Sequence, residues 1–343
     1  MPRVSGARLG AATHVIVEQP VYPCAIAWSP SGTLLALGGD DGSVVLLSPD
    51  GTHVHSLRAH AGPVQSLAWH PERDDLVTTG QDGSVRLWRP PFEGARVLVE
   101  PGPTWVDLAR WSPDGRRVAV AVGARAHLIE LDGPTTPCEA VESSITGLAF
   151  SPDGKSVAVA CYGGVRLFDA STGARTRRLD WKGSMVSLAF SPSGSIVACG
   201  CQDHSVHFWR IASGKDAQMS GYPAKPAAIS FTHDGGWLAT VGDSTISLWP
   251  FDKRGPEGRT PLQLASHEDL VTCLACAPHV DLLLSGDRSG VVALWAPPQR
   301  KVPVAVAKLT AKIVHVAWGA DARAGTLRYA AADGAGAVML GAV

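Results

Sequence analysis

Val64-Gln65-Ser66-Leu67-Ala68-Trp69-His70-Pro71, then Leu76-Val77-Thr78-Thr79, Gln81-Asp82-Gly83-Ser84 and Val85-Arg86-Leu87-Trp88, is the stretch whose reading decides the fold. The first segment alternates and is rich in β-formers, so it predicts a strand that turns at His70-Pro71. Leu76–Thr79 predicts a second strand, with two β-branched threonines. Gln81–Ser84 is a tight turn in which Gly83 tolerates positive φ. Val85–Trp88 is a third strand, and Ala95–Val99, after the Pro90-Pro91 loop, is a fourth.

The same phrase recurs along the chain. It ends at Trp28, Trp69, Trp111, Phe150, Phe190, Phe231, Cys276 and Trp318, at intervals of 41, 42, 39, 40, 41, 45 and 42 residues. A period in the low forties with four strands per unit predicts an all-β propeller, in which neighbouring blades bury each other's apolar faces. The eighth unit ends in Ala337-Val338-Met339-Leu340, with no residues left for a fourth strand. His14-Val15-Ile16-Val17 is an orphan strand before the first phrase. Pairing the two removes both open sheet edges and gives eight four-stranded blades. Seven blades is the competing count, because Gly325, Gly334, Gly336 and Gly341 weaken the last unit. The expected organisation is one domain over 12–343 with a short tail over 1–11.

The chain has 343 residues, 45% apolar and 18% charged, which suits a large buried core. Lysine plus arginine number 30 and aspartate plus glutamate 31, so the charge balance makes no case for nucleic acid or an anionic membrane. The densest basic cluster, Arg175, Arg177, Arg178 and Lys182, reads as a solvated outer strand. The first twenty residues lack a signal-peptide pattern, and no apolar run is long enough to span a membrane. Seven cysteines, an odd number lying mostly in strand phrases, read as buried thiols in a reducing cytosol. The absence of asparagine points to a GC-rich, bacterial genome.

These phrases resemble the WD-repeat family of β-propellers, from about residue 12 to the C-terminus. In that family a buried His, a Ser or Thr, an Asp and a Trp form a hydrogen-bonded set within a blade. The second unit matches as His60, Thr78, Asp82 and Trp88. The fifth keeps Asp203 and Trp209, with Cys199 at the Thr position and Trp181 near the His position. The sixth keeps Asp243 and Trp249. The seventh keeps His267, Ser285 and Trp295, with Ser289 in place of the Asp. The fourth has Phe168 for the Trp and Tyr162 for the Asp. The resemblance implies a non-catalytic scaffold that binds a protein or peptide partner on the loop face of the disc, without a cofactor.

His60, Asp82 and Thr78 look like a catalytic triad on paper, but they belong to the recurrent packing set and no nucleophile elbow accompanies them. Cys199, Cys201, His204 and His207 are all zinc-ligand types within nine residues. The competing reading there is buried thiols beside exposed histidines, and no metal is favoured. A ligand, metal or enzymatic site in the central channel or at this cluster is the alternative to the scaffold. In the family, the loops entering each blade and the turns between second and third strands share one face. Those loops carry Tyr22, Trp105, Trp181, Met185 and Tyr222, with Lys225 and Lys312 among them. The turns add Asp40, Gln81, Tyr162, Gln202, His204 and Arg288. Aromatics ringed by polar groups match the anatomy of a recognition hot spot. The competing reading wedges Trp105 and Trp181 between blades as local core.

Overall fold

The computed structural model describes residues 5–9, 12–252, 255–321 and 325–343. Among these residues every regular element is a strand, and the strands form eight antiparallel sheets. Blade 2 is representative: Val64–Trp69, Leu76–Gly80, Val85–Trp88 and Ala95–Val99 lie in chain order from one edge of the sheet to the other. Gly83 closes its central turn at φ +74°, and a Cβ there would stand 2.5 Å from the Gly102 carbonyl oxygen, so only glycine fits. Blade 4 departs from the pattern, because Ser156–Asp169 runs without a break through Gly163-Gly164. It still doubles back, since the Ala170 N–H donates to the Lys155 carbonyl at 2.9 Å.

The first strand of each blade is the innermost. Pro23–Trp28 packs against Val64–Trp69 and Ile313–Asp321, and Val64–Trp69 against Val106–Trp111, so first strands meet around an axis. Eight apolar clusters fill the ring. One of them joins Val64, Leu76, Trp88 and Phe92 to Ala36, Val44, Leu46 and Leu57 of blade 1, so the core is continuous from blade to blade.

Closure follows the sequence expectation. Ala12–Glu18 pairs antiparallel with Ala337–Ala342, with Val15 opposite Leu340 and Val17 opposite Val338. Blade 8 therefore takes its fourth strand from the start of the chain and the count is eight. Part of the expected tail is structured: Ser5–Leu9 pairs with Ala12–Glu18 as a fifth strand. Residues 1–4, 10 and 11 of that segment lie outside the described residues.

Candidate functional site

In blades 1, 2, 5 and 7 backbone hydrogen bonds tie the turn between second and third strands to the loop entering the same blade. Asp40 N–H donates to the Tyr22 carbonyl at 3.1 Å, Gln81 to Pro63 at 3.1 Å, Gln202 to Ser184 at 2.9 Å and Arg288 to Leu270 at 3.0 Å. The two sets of loops thus form one face. On it Tyr22, Trp105 and Tyr162 are 46%, 52% and 54% exposed, values that hydrophobic side chains rarely show without a reason. Tyr22 is oriented by its own N–H, which donates to Asp40 Oδ1 at 3.1 Å. The Tyr162 N–H donates to Ser143 Oγ at 2.8 Å. Lys225 is exposed on the loop entering blade 6.

The other expected anchors are built into the blades. Met185 is fully buried and receives the Cys201 thiol at 3.7 Å. Trp181 is half-buried, stacked on His207 with ring centroids 3.8 Å apart, and His207 in turn meets Trp209 edge-on at 4.5 Å. Tyr222 belongs to a hydrogen-bonded chain. The Trp249 indole donates to the Tyr222 hydroxyl at 2.6 Å, that hydroxyl meets Thr240 Oγ1 at 2.8 Å, and Thr240 donates to the Ser247 carbonyl at 3.2 Å. Burial pushes the Tyr222 phenol up to about 12. Tyr222 thus does in blade 6 what histidine does in blade 2.

In blade 2 the four residues come together as a buried set. His60 Nδ1 lies 3.0 Å from Asp82 Oδ1, His60 Nε2 2.9 Å from Thr78 Oγ1, and the Trp88 indole donates to Thr78 Oγ1 at 3.1 Å. The indole has only a donor, so the Thr78 proton goes to His60 Nε2 and Nδ1–H points to Asp82. Asp82 is held at about 2 by its bonds from Ser84, Ala61 and His60, which outweigh its burial. Burial pushes the His60 imidazole down, against the pull of Asp82. Thr78 has no solvent-accessible surface, so no substrate reaches the hydroxyl.

Blade 7 repeats this geometry and corrects the sequence reading. Asp287, not Ser289, is the acid: His267 Nδ1 lies 2.9 Å from Asp287 Oδ2, Nε2 2.7 Å from Ser285 Oγ, and the Trp295 indole donates to Ser285 at 2.8 Å. Ser289 instead donates to Asp287 Oδ1 at 2.9 Å. Blade 8 keeps an acid too, since Asp333 accepts from Thr310 Oγ1 at 3.0 Å and from four backbone N–H groups. Blade 4 replaces the polar set by Val141, Val159 and Phe168, all buried together.

The Cys/His cluster does not converge. Cys199, Cys201 and His207 are buried while His204 is exposed, so the expectation that both histidines are exposed fails for His207. Cys199 lies opposite His207 across the sheet, but Cys201 turns to Met185. Burial raises Cys201 to about 11 and pushes Cys199 well above the ordinary thiol value, away from the thiolate a metal needs. Cys273 and Cys276, on an innermost strand, are pushed up to about 12 by burial. Among the described residues, the ligand atoms of three His, Cys, Asp or Glu side chains come together at one place, His233, Asp234 and Asp281. The basic cluster is largely neutralised: Arg175 pairs with Glu139 at 2.7 Å, and Arg178 with Asp180 at 3.3 Å and Glu142 at 3.5 Å.

An eight-bladed ring in which blades 2 and 7 carry a buried His–Ser/Thr–Trp chain defines a WD-repeat β-propeller. The chain belongs to the WD domain, G-beta repeat family, which matches residues 14–47, 51–89, 135–169, 175–210, 219–250 and 258–296. It is similar to the computationally designed Ika8 protein, with a TM-score of 0.78 at 18% identity over 95% of this chain and 98% of that one. It is also similar to the Cps50 (Swd1) β-propeller domain of Myceliophteria thermophila, with a TM-score of 0.61 at 17% identity over 83% and 96% of the two chains. Telomerase protein component 1 of Mus musculus is 28% identical over 100 residues, which are 29% of this chain and 4% of that protein. The chain thus spans a small fraction of that relative. WD-repeat propellers are in general protein-interaction folds. No helix among the described residues is long and apolar enough to cross a membrane.

Proposed function

We propose that this propeller is a non-catalytic scaffold that docks a partner protein or peptide segment across its loop face. Tyr22 and Trp105 are the anchors, flanked by Tyr162, Trp181 and Lys225. The observation that carries this reading is the exposure of Tyr22, Trp105 and Tyr162, the first two on entry loops and the third on the strand Ser156–Asp169 beside the entry loop of blade 4. A rigid disc holds them at little ordering cost on binding. The neutral charge balance and paired basic cluster favour a protein partner over nucleic acid or membrane, and seven free cysteines favour a reducing cytosol.

The test compares wild type with a Tyr22→Ala, Trp105→Ala double variant of equal thermal stability. A partner captured by wild type, identified and purified, is expected to bind the double variant at least tenfold more weakly. Equal binding by both forms overturns the assignment of these anchors.

A further inference from the structure

The turns that follow the first strands lie at the opposite end of those strands from the loop face. In blades 3, 4 and 5 each such turn carries a proline that sits over the glycine of the next blade's turn. Pro113 Cδ is 3.5 Å from where a Cβ on Gly154 would stand, Pro152 Cδ 3.3 Å from that of Gly194, and Pro192 Cδ 3.2 Å from that of Gly235. Blade 6 breaks the series. Its turn reads Phe231-Thr232-His233-Asp234-Gly235, with His233 where the others have proline. His233 faces blade 7, whose turn supplies Asp281, and Nδ1 lies 3.1 Å from Asp281 Oδ1.

Three features describe this contact. First, Nδ1 is shut off from solvent and makes no hydrogen bond. His60 and His267 do hydrogen-bond their aspartates, at the similar distances of 3.0 and 2.9 Å, whereas His207 Nε2, 3.0 Å from Asp216 Oδ2, does not. The Asp281 oxygen therefore lies off the axis of the ring nitrogen. Two ligands of one small cation stand in this relation, because bonds of about 2.0–2.1 Å place them roughly 3 Å apart without aiming one at the other.

Second, Asp234 completes a set in which one ligand atom from each residue lies within 4.8 Å of the others. Third, Asp234 is held in place from behind. Its Oδ1 accepts from Thr232 Oγ1 at 2.6 Å and from the Gly236 N–H at 2.9 Å, the turn bonds that Asp114 and Asp153 also accept in blades 3 and 4. Outer hydrogen bonds of this kind orient metal-binding carboxylates.

We propose that His233, Asp234 and Asp281 form a divalent transition-ion site that staples the turn of blade 6 to that of blade 7. One imidazole nitrogen with carboxylate oxygens suits zinc or manganese rather than a soft thiophilic ion. The site is independent of the scaffold reading, because none of its residues lies on the loop face.

The experiment is calorimetric titration of the tag-free, chelator-treated protein with Zn²⁺ alone and then with Mn²⁺, together with thermal melts. One saturable ion per chain is expected, with a rise in melting temperature when the metal is present. His233→Pro restores the residue that blades 3, 4 and 5 carry, so it is expected to fold normally and to lose both binding and the rise. Asp281→Asn should weaken binding at least tenfold, and Cys199→Ser should leave it unchanged. Absence of saturable binding overturns the site. So does binding that survives His233→Pro, which would mark an adventitious ion elsewhere. A melting temperature that falls equally with and without metal in Asp281→Asn would reduce the contact to an ion pair and overturn the site as well.

Discussion

The Trp69 indole N–H donates to the carbonyl of Ala27, 42 residues earlier in the preceding blade, at 2.9 Å. Trp111 does the same to Ala68 at 2.9 Å, and Trp318 to Ala275 at 2.8 Å. The aromatic that ends the repeated phrase is thus a pin between neighbouring innermost strands. Trp69→Phe keeps most of the apolar contact and removes the donor. It should cost about 1–2 kcal/mol, the price of one part-buried hydrogen bond and its orphaned acceptor. Trp318→Phe should cost a similar amount, and denaturant melts should show the two adding, since they pin well-separated blade boundaries.

Tyr222→Phe tests the hydroxyl in blade 6. It leaves the Trp249 indole without its acceptor and takes a partner from Thr240. A loss of about 1–3 kcal/mol is expected in chemical denaturation, with partner binding unchanged once the variant is folded. Weaker partner binding at unaltered stability would return Tyr222 to the docking face.

Blade 7 offers a clean comparison of two neighbouring side chains. Asp287 is fully buried, pairs with His267 and accepts from the N–H groups of Ser289 and Val291. Ser289 only adds one further donor to that carboxylate. Asp287→Ala should therefore destabilise by several kcal/mol, as removal of one partner from a buried charged set does, on the order of 3–5 kcal/mol. Ser289→Ala should cost about 1 kcal/mol or less. Comparable losses for both would mean that the acid is not the centre of the set.

The eight-bladed fold was legible because its two signals are local: alternation within a strand, and a period set by one blade of chain. The polar sets were half legible, for a reason visible in their spacing. His60 and Thr78 are 18 residues apart, and so are His267 and Ser285, and Tyr222 and Thr240. That spacing alone points to Tyr222 as a stand-in for histidine. The acid is less constrained, lying 22 residues after His60 but 20 after His267, because the carboxylate reaches the same nitrogen from either end of the turn. Exposure was not legible at all. The sequence reads Trp105 and Trp181 as loop residues alike, yet Trp105 stands in solvent before Val106–Trp111 while Trp181 lies inside the strand Arg175–Ser184, held by a buried histidine that the sequence placed on the surface.

Burial pushes His60, His207 and His267 below the ordinary histidine value. The unfolded chain takes up protons at these sites below pH about 6.5, where the folded chain still resists them. Stability should therefore fall as pH drops from 7 to 5. Asp82 and Asp287, both held below the usual carboxylate range, remain ionised through that window. Their own contribution is present above pH about 4 and is lost only as pH falls toward 2. Melting temperatures across pH 7.5 to 5 check the first limb, and a flat profile would contradict it. His267→Gln, compared with wild type over the same range, should show a shallower slope.

Closure makes the start of the chain as important as its middle. Val17 has no exposed surface and packs with Trp28, Leu35, Leu37, Val338 and Leu340, where blades 8 and 1 meet. It also holds register opposite Val338. Val17→Asp places an unpaired carboxylate in that cluster, a burial that costs several kcal/mol even when the group protonates. Because the strand covers the edge of blade 8 at Ala337–Ala342, its release should expose a pairing edge as well as lower stability. The variant is expected to melt at lower temperature and to self-associate in sizing chromatography. Val54→Asp, at an exposed position on the outer strand of blade 1, should do neither. Equal behaviour of the two variants would show that the ring does not depend on its closing strand.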